Sequence, residues 1–137
     1  MKYDIAFSFA GENRPFVEGI KNSLLLQGLN VFYDNDFQSE LWGKDLTEEL
    51  PKHYYDSNYV AIFIDEYYLE KMWTYFERQI LITKHLREKG PEYILPIYLN
   101  DFNGDVPGLS KLVSYVRVKT DSVGESDLVN LLINKLK

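Results

Sequence analysis

A chain of 137 residues, 45% hydrophobic and 26% charged, has the size and make-up of one globular domain and leaves no room for a second. Its formal net charge of -6 excludes a binder of the phosphate backbone, because nucleic-acid affinity rests on Lys and Arg displacing counterions, and no basic stripe compensates locally. With no cysteine there is no disulfide framework, thiolate nucleophile or sulfur-ligated metal; with no leader-like start and no run of about 18 apolar residues, the expected location is cytoplasmic, without membrane contact.

In chain order, Tyr3 to Phe9 (YDIAFSF) is short, apolar and β-prone, and Gly11-Glu12-Asn13 after it can end a strand and cap a helix. From Arg14 to Gln27 the apolar residues Phe16, Val17, Ile20, Leu24 and Leu25 recur at helical spacing, with Gly28 as the stop. Asn30 to Tyr33 reads as a second strand, and Asn35 to Lys44 as a polar, acidic loop. Asp45 caps an expected helix to about Tyr55, which Pro51 shortens or kinks. Asn58 to Ile64 is nearly all apolar, as a central strand covered on both faces should be. Asp65 to Glu70 reads as a loop, and Met72 to Lys89 as a long helix stopped by Gly90-Pro91. Tyr93 to Leu99 is the fourth strand, with Pro96 placing it at an edge or bulge. After a loop from Asn100 to Gly108, Val113 to Val118 is the fifth strand and Ser126 to Leu136 the final helix. This alternation predicts a single α/β domain over residues 1–137, an open five-stranded parallel sheet with helices on both faces.

Several chemistries fail for want of their motif. No G-x-G-x-x-G, G-x-x-x-x-G-K-[ST] or G-x-S-x-G occurs, and His53 and His85 lack metal-ligand spacing, so no metal site is expected. A phospho-receiver needs paired acids after strand one, where this chain has Ser8-Phe9-Ala10-Gly11. Open α/β sheets bind ligands at the carboxyl ends of their strands, and three segments converge there. Ser8 to Glu12 is a strand-to-helix turn whose backbone N–H groups can meet a phosphate. Tyr33 to Lys44 is a long loop carrying Trp42 and Lys44. Trp73 to Glu77 sets an indole and a carboxylate on one helix face by i, i+4 spacing.

Taken together, Tyr3 to Phe9, Gly28 to Asp34, Gly43 to Leu46, Ser57 to Ile64, Tyr68-Leu69 and Trp73 resemble the TIR domain family in both order and spacing, over nearly the whole chain. The resemblance implies a flavodoxin-like fold and an NAD glycohydrolase or cyclase, with NAD as substrate and no cofactor. It implies that Glu77, four residues after Trp73, is the catalytic carboxylate, and that Phe9, Ala10, Gly11, Asp34, Trp42, Lys44 and Trp73 contact the substrate. Ala10 and Gly11 stand where some enzymes of the family have basic residues. Read without the family, Glu77 is a solvated surface group, Trp73 and Phe9 are core residues as readily as platforms for a ring, and Lys44 is a solvated loop charge.

One carboxylate suffices for the expected reaction. O-glycoside hydrolysis uses a second carboxyl group to protonate the departing alkoxide. The nicotinamide nitrogen of NAD is already cationic and leaves neutral, so only the charge growing on the ribose needs an anion. Water as acceptor gives linear ADP-ribose, and the substrate's own adenine or ribose gives a cyclic product. A further expectation is self-association with other TIR domains, in open filaments, through Phe37, Leu41 and Trp42 of the second loop, in an effector of signalling or antiphage defence that works with a sensor domain or protein. The competing readings are a non-catalytic TIR interaction module and a flavodoxin-like enzyme acting on nucleosides, such as a deoxyribosyltransferase.

Overall fold

A computed structural model describes residues 3–33, 43, 56–71, 93–106 and 114–137. Its strands are β1 (Tyr3–Ser8), β2 (Val31–Phe32), β3 (Ser57–Ile64), β4 (Ile94–Leu99) and β5 (Val116–Val118). They form one sheet in the order β2-β1-β3-β4-β5, every neighbour parallel. The described helices are α1 (Arg14–Leu26), α2 (Glu66–Lys71) and α3 (Ser122–Leu136), with a 3-10 turn over Gly11–Asn13 before α1. This is the expected open α/β sheet. The expected helices at 45–55 and 72–89 lie outside the described residues.

Two apolar cores, one on each face, explain why the central strands read as continuous apolar runs. On one face Ile5, Phe7, Ala61, Phe63, Ile97 and Leu99 meet Val17, Ile20 and Leu24 of α1 and Leu128 and Leu132 of α3. On the other, Ala6, Val60, Ile62, Ile64 and Ile94 meet Tyr68 of α2. Along β3 the residues alternate between the two cores, the period-2 rule of an extended chain.

The end of α1 follows from its sequence. Gly28 takes a positive φ of 82°, its N–H bonds the carbonyl of Leu25, and the Leu29 N–H bonds that of Leu24, the Schellman closure that only a residue without Cβ enters freely. The buried stripe of α1 differs from the expected one. Leu25, one of the expected apolar positions, is exposed, and Lys21, outside that set, is buried.

Several boundaries differ from the expected ones. Residues 66–70, expected as loop, belong to α2, because Asp65 caps the helix by accepting the Tyr68 N–H at 2.9 Å. α3 starts at Ser122 rather than Ser126, since Asp121 accepts the Gly124 N–H at 2.8 Å and so supplies the cap. β5 begins at Val116 rather than Val113, and β1 ends at Ser8 rather than Phe9. Nor is β4 an edge strand. Pro96 pairs with Ile62 of β3, and the ladder to β5 begins only at Ile97, so the N–H that proline lacks falls before that ladder starts.

Candidate functional site

β1 and β3 are neighbours in the sheet, but their following helices go to opposite faces. α1 packs with α3 in one core, and α2 places Tyr68 in the other. The crevice between the carboxyl ends of β1 and β3 is therefore the topological switch point, where such sheets take ligands.

Two hydrogen bonds cross this crevice. The Ser8 Oγ and the Tyr68 hydroxyl are 2.8 Å apart, and both residues are buried. At the mouth, the Asn13 amide donates to Asp65 Oδ2 at 2.7 Å, while Asp65 Oδ1 accepts the Tyr68 N–H. Both oxygens of a carboxylate that is 7% exposed are thus occupied by neutral donors. Burying an anion without a cation is costly unless each lone-pair direction finds a donor.

Beside the crevice, Phe9 is buried and stacked on Tyr33 with centroids 5.4 Å apart and an interplanar angle of 10°. The Arg14 guanidinium lies 5.0 Å from the Phe9 centroid and 5.4 Å from that of Tyr33, and Lys21 Nζ lies 4.7 Å from Tyr33. The Tyr33 hydroxyl donates to Glu18 Oε2 at 3.2 Å. Burial pushes the Tyr33 phenol above its ordinary pKa, with Arg14 pulling the other way and Glu18 adding to the rise.

Of the residues expected to touch a ligand, Phe9, Ala10 and Gly11 stand together at the end of β1. Ala10 is fully buried against the α2 side, and Gly11 opens to solvent at the start of the turn, with free space where a Cβ would stand. Asp34, Trp42, Lys44, Trp73 and Glu77 lie outside the described residues. Asn13, Asp65 and Tyr68 were not singled out as site residues. An Asp closing an apolar strand, with helix formers after it, was the available signal for the cap.

On the α1 and α3 side of the turn, an open depression of about 480 Å³ is lined by Glu12, Asn13, Thr120, Asp121 and Glu125 among others. Its three carboxylates make it a poor seat for a pyrophosphate. Further along the edge, Asn100 adopts a positive φ of 56° and ties β4 to the β5 end, its Oδ1 accepting the Thr120 N–H at 3.0 Å. No group of three or more His, Cys, Asp and Glu able to hold a metal occurs among the described residues. No helix among them is long and apolar enough to cross a membrane.

Comparison with known proteins adds to this geometry. Residues 5–132 match the family model described as TIR domain. The chain is 39% identical, over 137 residues, to the 3' cyclic ADP-D-ribose synthase AaTIR of Aquimarina amphilecti, a match covering 99% of this chain and 40% of that protein. It is 30% identical over 114 residues to the probable 2' cyclic ADP-D-ribose synthase TcpO of Methanobrevibacter olleyae, covering 77% of this chain and 32% of the relative. The chain thus spans less than half the length of either curated relative. Among solved structures, the TIR domain of the Toll-related receptor TRR-2 of Hydra magnipapillata shares the fold, with a TM-score of 0.70 at 16% identity over 98% of both chains. The TIR domains of the activated Roq1 resistosome give a TM-score of 0.59 at 26% identity, covering 72% of this chain and 58% of that one.

Proposed function

This chain belongs to the TIR domain family, and from that premise we propose that it cleaves the nicotinamide–ribose bond of NAD with Glu77 as the catalytic carboxylate. The observation that carries the proposal is 39% identity, along essentially the whole chain, to a protein named as a cyclic ADP-ribose synthase. The Trp73 and Glu77 pair, four residues apart, and the crevice at the β1/β3 switch point support it.

In the proposed reaction, the bond between the anomeric carbon and the pyridinium nitrogen breaks, and its electron pair leaves with neutral nicotinamide. No general acid is needed. The ribose carbon becomes cationic, and the Glu77 carboxylate lowers the energy of that charge without being consumed. An electron pair on the substrate's own ADP-ribose then closes a ring, with loss of one proton. Both curated relatives are named for cyclic products, which favours ring closure over capture by water. We place this activity in a signalling or antiphage-defence effector that works in the cytoplasm, with a sensor, and is switched on by association of TIR domains.

The test is to incubate purified protein with NAD at high protein concentration and to measure free nicotinamide. Glu77→Gln keeps the shape of the side chain and removes its charge, so it should keep the wild-type melting temperature and lose about 100-fold or more in rate. Activity within a few-fold of wild type in a normally folded Glu77→Gln would remove Glu77 from the chemistry. A wild type that associates but releases no nicotinamide would leave an interaction module instead.

A further inference from the structure

The Asn13–Asp65 hydrogen bond joins residues 52 positions apart, on chain segments that diverge to opposite faces of the sheet. Asn13 closes the turn between β1 and α1; Asp65 follows β3 and caps α2. Where the strands end, the backbone ladder that fixes β1 against β3 ends with them, its last paired residues being Ser8 and Ile62. Beyond that point the spacing of the two walls is set by side chains, and the described bonds that set it are Ser8 to Tyr68 and Asn13 to Asp65.

Capping alone does not call for this arrangement. Ser in place of Asp65 would satisfy the α2 N–H without burying a charge. The second carboxylate oxygen is engaged by Asn13, across the crevice. This bond, 2.7 Å long, ties the two walls together at the mouth of the crevice.

We propose that Asn13 and Asp65 are a positioning pair, which fixes the width of the β1/β3 crevice and the setting of α2, after whose last residue, Lys71, the sequence reaches Trp73 and Glu77 within six positions. The inference rests on the NAD-cleaving reading above. A carboxylate that acts on charge developing only in the transition state is sensitive to small displacement, so loosening the pair lowers kcat and changes KM little.

The test compares Asn13→Asp, Asp65→Asn, their combination and Asn13→Ala with wild type, by nicotinamide release and melting temperature. Asp65→Asn still caps α2 through its carbonyl oxygen and can donate to Asn13 once the Asn13 amide turns over, so kcat should stay within about threefold. Asn13→Asp sets two carboxylates against each other and should lower kcat about tenfold or more, with KM within about threefold. The double variant restores one donor and one acceptor in reversed order, and should return kcat to within about threefold of wild type. If Asn13→Asp does not fold, Asn13→Ala, which removes the donor without adding charge, should still lower kcat about threefold or more. Wild-type kcat in a folded Asn13→Asp or Asn13→Ala, or a double variant as slow as Asn13→Asp, overturns the pair. So does an inactive Asp65→Asn, which would mean that the carboxylate itself is needed. A wild type that releases no nicotinamide takes down the NAD reading and the pair with it. An active wild type with an inactive Glu77→Gln and unchanged pair variants retires the pair alone.

Discussion

Tyr33 sits among three charges, with Arg14 and Lys21 over its ring and Glu18 accepting from its hydroxyl. Its phenol is raised chiefly by burial, and the sign of the pH effect follows. The unfolded chain ionises near the ordinary tyrosine value of about 10, before the folded one does. Stability contributed by the neutral phenol is therefore fully present below about pH 10 and is lost as pH rises towards the folded value. Tyr33→Phe should cost about 1 kcal/mol at neutral pH through the lost bond to Glu18, and its melting temperature should fall less steeply than wild type on the alkaline side. Parallel declines in the two proteins, followed by thermal denaturation, would mean that Tyr33 does not titrate as its burial implies. The same cluster accounts for the burial of Lys21, which lies outside the apolar positions read for α1. A lysine can bury its stem and lay its ammonium on a ring, which no apolar periodicity anticipates. Phe9 likewise answers to Tyr33 and Arg14, partners that are distant in sequence or in helical phase from the strand it follows.

Glycines separate the elements legible in the sequence from those that were not. Gly28 reads as a helix stop, and its positive φ makes it one. α3 was expected to start at Ser126, yet Gly124 lies inside its first turn, where a Cβ would run into the Lys119 carbonyl oxygen. Only the tertiary approach of helix and strand end reveals that need. Gly124→Ala should accordingly destabilise by about 1–3 kcal/mol, since the obstructing atom is backbone. Gly19 of α1 makes the opposite case. The atom in its way is Glu125 Oε1, the free end of a long side chain, which can swing aside. Gly19→Ala should then gain about 0.5–1 kcal/mol of helix propensity. Chemical denaturation checks both, and a Gly19→Ala loss as large as that of Gly124→Ala would show that Glu125 is pinned. β3 and β4 were readable because both faces are covered and the apolar run is unbroken. α2 was not, because the capping role of Asp65 depends on where its carboxylate turns. The sequence singles out the turn from Ser8 to Glu12, which lies at the switch point, whereas the bond from the next residue, Asn13, to Asp65 joins segments that only the sheet order brings together.

At the scale of the whole molecule, the crevice lies at the carboxyl ends of β1 and β3 of a single sheet. If a neighbouring copy excludes water, specific activity should rise with protein concentration, and Trp42→Ala should lower that rise by removing apolar contact area. Activity measured over a hundredfold range of protein concentration beside light scattering checks this, and a flat profile from a monomer would show that one copy builds the complete site. The net charge of -6 opposes association, so added salt should shift the onset to lower protein concentration. The sheet order carries a consequence of another kind, for the way the chain is made. Ile5 pairs with Val31 on one side but with Tyr59 on the other, so β1 must wait for about 50 intervening residues before its principal neighbour exists. A ribosome that has exposed only β1, α1 and β2 has released two paired strands with one flank of β1 bare, and the apolar face of α1 without α3. Such a nascent chain should be sensitive to protease and bound by chaperones until β3 emerges. Slow synthesis through the segment between β2 and β3 would prolong that exposure, whereas slow synthesis after β3 would not.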